Sequence, residues 1–156
     1  MTNASLAHSY LIKARARLKT LPVLMQEDAW SDVIREAQEI VELALKAMLR
    51  HIGVEPPHWH DVGGLLVEHR SRFGDASGDV DRLAVTSAWL RKEREFAFYG
   101  DIDLIPTDHY READATRARD EAAFVVTVAA RVVAPGPPAS PNNPAGLDAP
   151  SQGDDQ

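Results

Sequence analysis

The residues best suited to chemistry form a charged cluster between Arg91 and Asp101. At helical spacing, one face carries Arg94 together with Leu83, Ser87, Leu90, Ala97 and Asp101, so Arg94 lies on or beside the inward-facing stripe. A guanidinium there needs a carboxylate or an anionic ligand, because an unpaired buried charge is very costly. Two interpretations of Arg94 stay open: an internal ion pair with Glu42 or Asp101, or one half of an anion-binding cleft.

A second set of charges lies earlier in the chain, where Glu42 and Lys46 are four residues apart with the acid first. This spacing is typical of a pair on a helix surface, with Glu39 as an alternative partner for Lys46. Tyr99 is predicted to be a core residue with its hydroxyl at the rim rather than a catalytic acid. No residue is assigned a catalytic role, and the predicted ligand-binding residues are Arg91, Arg94, Glu95, Tyr99, Asp101, Glu42 and Lys46.

Three histidines, His58, His60 and His69, could suggest a metal site, since imidazole is a common metal ligand. The His-x-His spacing follows two prolines, however, and Asp61 is better suited to cap a helix, so we expect neither a metal nor a cofactor. The chain has no cysteine, which excludes disulfides and thiol nucleophiles. It also lacks a glycine-rich phosphate loop, a Gly-x-Ser-x-Gly elbow and a His-Glu-x-x-His motif.

The net charge of −7 argues against nonspecific wrapping of duplex nucleic acid, which normally requires a basic excess. A local basic pocket is compatible with this charge, because net charge describes the whole surface and not one cleft. The first residues do not resemble a secretory leader, and no apolar run approaches the ~20 residues of a membrane span. We therefore expect a soluble cytoplasmic protein.

The elements that must position these residues are helices, because apolar residues recur at steps of three and four and not at alternate positions. Pro22 is expected to end the first helix and Gly53 the second. Residues 74–78 are predicted to be a loop. The predicted helices run from about Ala7 to Leu21, from about Asp28 to Gly53, from the N-cap Asp61 toward Phe73, from about Asp79 to the region of Tyr99, Gly100 and Asp101, and from a cap at Thr107 or Asp108 to Val132.

Composition changes at residue 134. Residues 134–156 hold six of the ten prolines and no Lys, Arg or aromatic residue, so we predict a disordered tail. Residues 1–133 are predicted to form one domain, an all-α, up-and-down bundle of four to five helices. The broad apolar stripes of the second and fourth helices exceed what a lone bundle needs to bury, which favours a homodimer.

The order of these features resembles the HEPN family, the helical domains named for higher eukaryotes and prokaryotes and nucleotide binding. The resemblance covers about residues 4–133 and rests on Tyr10-Leu11-x-x-Ala14, the segment Glu42–Leu49 before Gly53, Pro57 followed by His60-Asp61 and Leu65-Leu66, the cluster from Arg94 to Asp101, and Tyr110 with an Ala-rich last helix. It implies a bundle of four or five helices that is commonly dimeric. Many such domains are ribonucleases, often toxins, that use an Arg followed four to six residues later by His, whereas others are binding or assembly modules or pair with small nucleotidyltransferases.

This chain departs from the ribonuclease pattern, since no His follows Arg91, Arg94 or any other arginine at the required spacing. We therefore expect a non-catalytic HEPN-like module that binds a nucleotide, RNA or a protein partner, as part of a bacterial two-component or toxin–antitoxin-type system. Two alternatives stay open. One is a ribonuclease toxin with a degenerate site that recruits His60 or His109 from elsewhere, and the other is a structural dimerisation domain.

Overall fold

A computed structural model describes residues 2–56, 58 and 62–133. The predicted all-α fold is confirmed, and no described residue belongs to a β-strand. The predicted tail and the predicted cap at Asp61 lie outside the described residues. The α-helices are α1 (Asn3–Leu18), α2 (Leu21–Gln26), α3 (Trp30–His51), α4 (Val62–Glu68), α5 (Val80–Phe98), α6 (Pro106–His109) and α7 (Glu112–Val132), with 3₁₀ helices at Arg70–Arg72 and Gly74–Asp79.

Helix α3 is the centre of the bundle, because one broad face of it is buried, while its opposite face carries charged residues such as Glu39 and Lys46. α1, α5 and α7 all pack against it, and residues such as Ile34, Leu45 and Met48 are completely buried. An apolar face this broad needs more than one neighbouring helix. The chain thus covers the stripe of its own second predicted helix, so that stripe does not by itself require a second copy.

The first two predicted boundaries differ from the structure. Pro22 does not end a helix but lies in the first turn of α2, where its missing N–H costs nothing because N–H groups of a first turn have no intrahelical partner. The next helix begins at Trp30 and not at Asp28. Asp28 has a φ of 53°, a left-handed conformation that a right-handed helix cannot include.

Two later predictions also need correction. Residues 74–78 are not a loop but part of the 3₁₀ helix Gly74–Asp79. Thr107 and Asp108 do not cap the last helix, because they lie inside the short α6. Helix α7 begins after Arg111, whose backbone N–H donates to Asp114 Oδ2 at 2.9 Å, so the carboxylate in the first turn closes the end of this helix.

Helix α4 lies directly against α5 because Gly63 has no side chain. A Cβ placed on Gly63 would lie 2.9 Å from Ala84 Cα and 3.2 Å from Ala84 O, closer than real Cβ atoms approach backbone. This contact brings Val62, at the start of α4, next to the side of α5 that carries Leu90 and Arg91. None of the helices that the structure describes is long and apolar enough to span a membrane.

Candidate functional site

Four of the seven predicted binding residues meet in one cleft between α3 and α5. Helix α3 contributes Glu42 and Lys46, and α5 contributes Arg91 and Arg94. The space they enclose is about 520 Å³, counting the part open to solvent. We call this the α3–α5 cleft, and its remaining lining residues are Gln38, Val41, His58, Val62, Ser87 and Leu90.

The α3 wall of the cleft is a row of polar side chains one helical turn apart. Gln38 Nε2 donates to Glu42 Oε2 at 2.8 Å, and Lys46 Nζ lies 2.7 Å from Glu42 Oε1. The predicted Glu42–Lys46 pair is therefore confirmed, although both side chains are more than two-thirds buried rather than on an open surface. Residues at positions i and i+4 share a helix face, so the spacing alone brings these groups into contact.

The neighbours of Glu42 stabilise its negative charge. Burial by itself raises the pKa of the Glu42 carboxyl, but the hydrogen bonds from Lys46 and Gln38 and the charges of Lys46 and Arg94 outweigh it. The pKa of Glu42 is therefore below its ordinary value. The carboxylate is ionised at neutral pH and orients Lys46 toward the cleft.

Arg94 pairs with Glu39, and the predicted pairing with Glu42 or Asp101 is wrong. Arg94 Nη2 lies 3.2 Å from Glu39 Oε1, and Arg35 Nε lies 3.7 Å from the same oxygen. Arg94 Nε makes no hydrogen bond with any part of the chain that the structure describes. Glu39 thus divides its charge between two arginines, which leaves Arg94 with donor capacity for a ligand.

The remaining three predicted binding residues do not line the cleft. Glu95, Tyr99 and Asp101 are exposed, and Tyr99, at 74 % exposure, is not the predicted core residue. Helix α5 ends at Phe98, and Gly100 turns the chain with a φ of 69°. The helical spacing that placed Asp101 on the inward face therefore does not extend that far. Asp101 Oδ1 instead accepts from the Ile102 N–H at 2.7 Å and helps to close a turn.

The sequence interpretation missed Gln38 and His58 as cleft residues. Gln38 is only 3 % exposed, and its position on an apolar face four residues before Glu42 was a usable signal. His58 was weighed only as a metal ligand. The described ranges contain no cluster of three or more His, Asp or Glu residues that could hold a metal ion. His60, the other member of the His-x-His pair, is not among the described residues.

Basic residues outnumber acidic ones in the lining of the cleft. Among the described lining residues, Lys46, Arg91 and Arg94 are basic and Glu42 is acidic, with Lys46 paired to Glu42 and Arg94 to Glu39, whereas the whole chain carries −7. A concave surface with low-dielectric walls concentrates the field of its charges, so basic residues in a cleft favour small anions more than the same residues on an open surface do. The groups present suit a phosphate, which accepts charge-assisted hydrogen bonds from guanidinium and ammonium groups.

The family model described as HEPN domain matches residues 7–134, which run from the first half of α1 to just beyond α7. No curated protein matches the chain.

Proposed function

Because the chain belongs to the HEPN domain family, we propose that it is a non-catalytic module that binds the phosphate of a nucleotide or of RNA in the α3–α5 cleft. Membership in this family is consistent with a role connected with nucleotides or RNA. The observation that carries the proposal is the concentration of Lys46, Arg91 and Arg94 in one cleft of an acidic protein. Guanidinium and ammonium groups that converge on one cleft can donate several charge-assisted hydrogen bonds to a single phosphate.

The assignment of a binding role, rather than cleavage, rests on the proton-transfer chemistry of the family's ribonucleases. No histidine follows Arg91 or Arg94 at the required spacing. His109 lies on α6 and does not line the cleft. Its ring packs edge-on against the ring of Tyr110, with 4.8 Å between the two ring centroids. A phosphate bound by arginines is held but not cleaved unless a neighbouring group moves the proton of the 2′-hydroxyl.

One observation favours RNA cleavage as a second candidate. His58 lines the same cleft as Arg91 and Arg94, although it reaches that position from a different part of the chain than the family motif. Incubation of the full chain with single-stranded RNA in the presence of a chelator tests this candidate. Cleavage that is lost in His58→Asn would replace the binding proposal, whereas intact RNA with both proteins agrees with it.

Calorimetric titration of the full chain with adenosine monophosphate and with a short 5′-phosphorylated RNA tests the binding proposal directly. We expect saturable binding of one phosphate-containing ligand per chain. The affinity should fall as salt is added, because the contacts are between opposite charges and are partly exposed. Failure of both ligands to bind at millimolar concentration and low salt would contradict the proposal.

We also propose that the protein is a homodimer formed through the end of α5. Phe98, Tyr99, Ile102 and Ile105 are all at least half exposed, and Phe96 is 38 % exposed, although apolar side chains gain by burial. These five residues are the α5-end patch. A symmetric dimer would bury the same patch from both copies.

Sedimentation at micromolar concentration should show about twice the 17.1 kDa mass of the chain. Phe98→Lys should shift the protein toward a monomer, because it places a charge in the apolar interface beside the Arg35 guanidinium, which lies 4.8 Å from the centroid of the Phe98 ring. Val85→Lys is the matched control, since Val85 is also on α5 and 63 % exposed but lies outside the patch. A monomeric wild type would contradict the proposed dimer. The α5-end patch would then be a candidate binding surface for another protein, such as a small nucleotidyltransferase.

A further inference from the structure

A second cavity adjoins the α3–α5 cleft. Its lining residues are Tyr10, Lys46, Arg50, Glu55, Pro56 and His58, and we call it the Tyr10 cavity. Lys46 and His58 line both spaces. The two spaces therefore lie side by side, with Lys46 and His58 at their common border.

Arg50, which lines the Tyr10 cavity together with Lys46, is held in place by its own contacts. The side chain of Arg50 is 16 % exposed, its Nη1 donates to Asn3 Oδ1 at 3.1 Å, and its Nη2 lies 3.3 Å from Glu55 Oε1. Its Nε donates to no described atom. Lys46 and Arg50 are one helical turn apart on α3, so the basic surface continues from the cleft into the second cavity.

Tyr10 adds an aromatic ring to this basic surface. It lies on α1, partly buried against the core, so the packing of α1 on α3 fixes its position. An aromatic ring beside arginine and lysine is the arrangement on which proteins stack nucleobases while holding the attached phosphates. Inorganic phosphate or a phosphorylated sugar would leave this ring unused.

We infer that the two cavities form one bipartite site, in which the α3–α5 cleft holds a phosphate and the Tyr10 cavity holds the nucleobase attached to it. This inference rests on the proposed function and names its ligand as a nucleoside monophosphate unit. Such a unit is supplied either by a free nucleotide or by the terminal nucleotide of single-stranded RNA. Every base can stack on a tyrosine ring, so we expect the site to recognise a nucleoside monophosphate unit whatever its base.

Calorimetry on the full chain with adenosine monophosphate and ribose 5-phosphate tests this inference, because the two ligands differ only in the base. We expect Tyr10→Leu to weaken adenosine monophosphate about 5- to 100-fold, the usual contribution of one stacked base, and to leave ribose 5-phosphate unchanged. Tyr10→Phe keeps the ring and should retain the affinity of the wild type. Melting curves of both variants check that α1 still packs on α3.

The outcomes separate the inference from the function on which it rests. Equal binding of both ligands by the wild type would overturn the bipartite site and leave the phosphate site standing, and this comparison needs no variant. Adenosine monophosphate that binds Tyr10→Leu as well as the wild type would overturn it too. Binding of neither ligand would overturn the bipartite site, and failure of the 5′-phosphorylated RNA to bind as well would overturn the phosphate site with it. If binding depends on Tyr10, a 5′-phosphorylated trinucleotide that binds more tightly than adenosine monophosphate identifies RNA as the source, and equal affinity identifies the free nucleotide.

Discussion

Replacing Arg94 by glutamine is expected to weaken the binding of adenosine monophosphate by about 10- to 100-fold, because a hydrogen bond to a charged group contributes about 1.5–3 kcal/mol. Stability should change little. Glu39, the partner of Arg94, retains Arg35 as a second cation, and both members of the Arg94–Glu39 pair are partly exposed. Loss of such a pair costs at most about 1 kcal/mol, or a few degrees in Tm.

Arg35→Gln is the matched control for this variant. Arg35 contacts the same Glu39 oxygen but does not line the α3–α5 cleft. The two variants should therefore have similar Tm values, and only Arg94→Gln should lose affinity. The opposite pattern, a fall in Tm of more than about 10 °C with binding lost only through unfolding, would show that Arg94 is a structural residue.

Replacing Gly63 by valine is expected to destabilise the protein by about 2–3 kcal/mol, which lowers the Tm by about 6–15 °C for a domain of this size. Even the Cβ would lie 2.9 Å from Ala84 Cα, and a backbone atom of α5 cannot rotate away as a side chain can. Helix α4 would have to move outward, and Val62 would leave the wall of the cleft. Thermal melting measures the loss.

Gly78→Val provides the comparison. A Cβ at Gly78 meets nothing within 4 Å, and the φ of Gly78 is outside the left-handed region. The Tm of the Gly78→Val variant should therefore fall by no more than a few degrees. Equal Tm losses at the two positions would contradict the assignment of Gly63 as the contact that holds α4 against α5.

The sequence predicted the long helices because their apolar residues recur with the helical period. It failed where one residue type is compatible with two local structures. Pro22 suits both a stop and the first turn of a new helix, and only the packing of α2 against α3 decides between them. Thr107 and Asp108 are good caps for a long helix, but they lie inside a separate short one that begins at Pro106.

The position of each residue relative to the ends and crossings of the helices also explains which features of the site could be predicted from the sequence. Arg91 and Arg94 lie within the regular part of α5 and line the cleft, whereas Tyr99 lies beyond the end of that helix and does not. The partner of Arg94 was assigned to the wrong glutamate of α3. Glu39 and Glu42 are three residues apart and share a face, and the crossing of α3 and α5 determines which of them is met. Tyr10 was noted only as part of a family pattern, because its place beside Lys46 depends on how α1 packs.

The central position of α3 has a consequence for folding on the ribosome. α1 precedes α3 and can cover it as soon as both are made, but α7, which covers another side, ends 81 residues after α3 does. At about 5–20 residues per second, synthesis of those residues takes roughly 4–16 s. During that time the nascent chain exposes an apolar helix face whose cover does not yet exist, so we expect the core to be completed only after the last helix emerges.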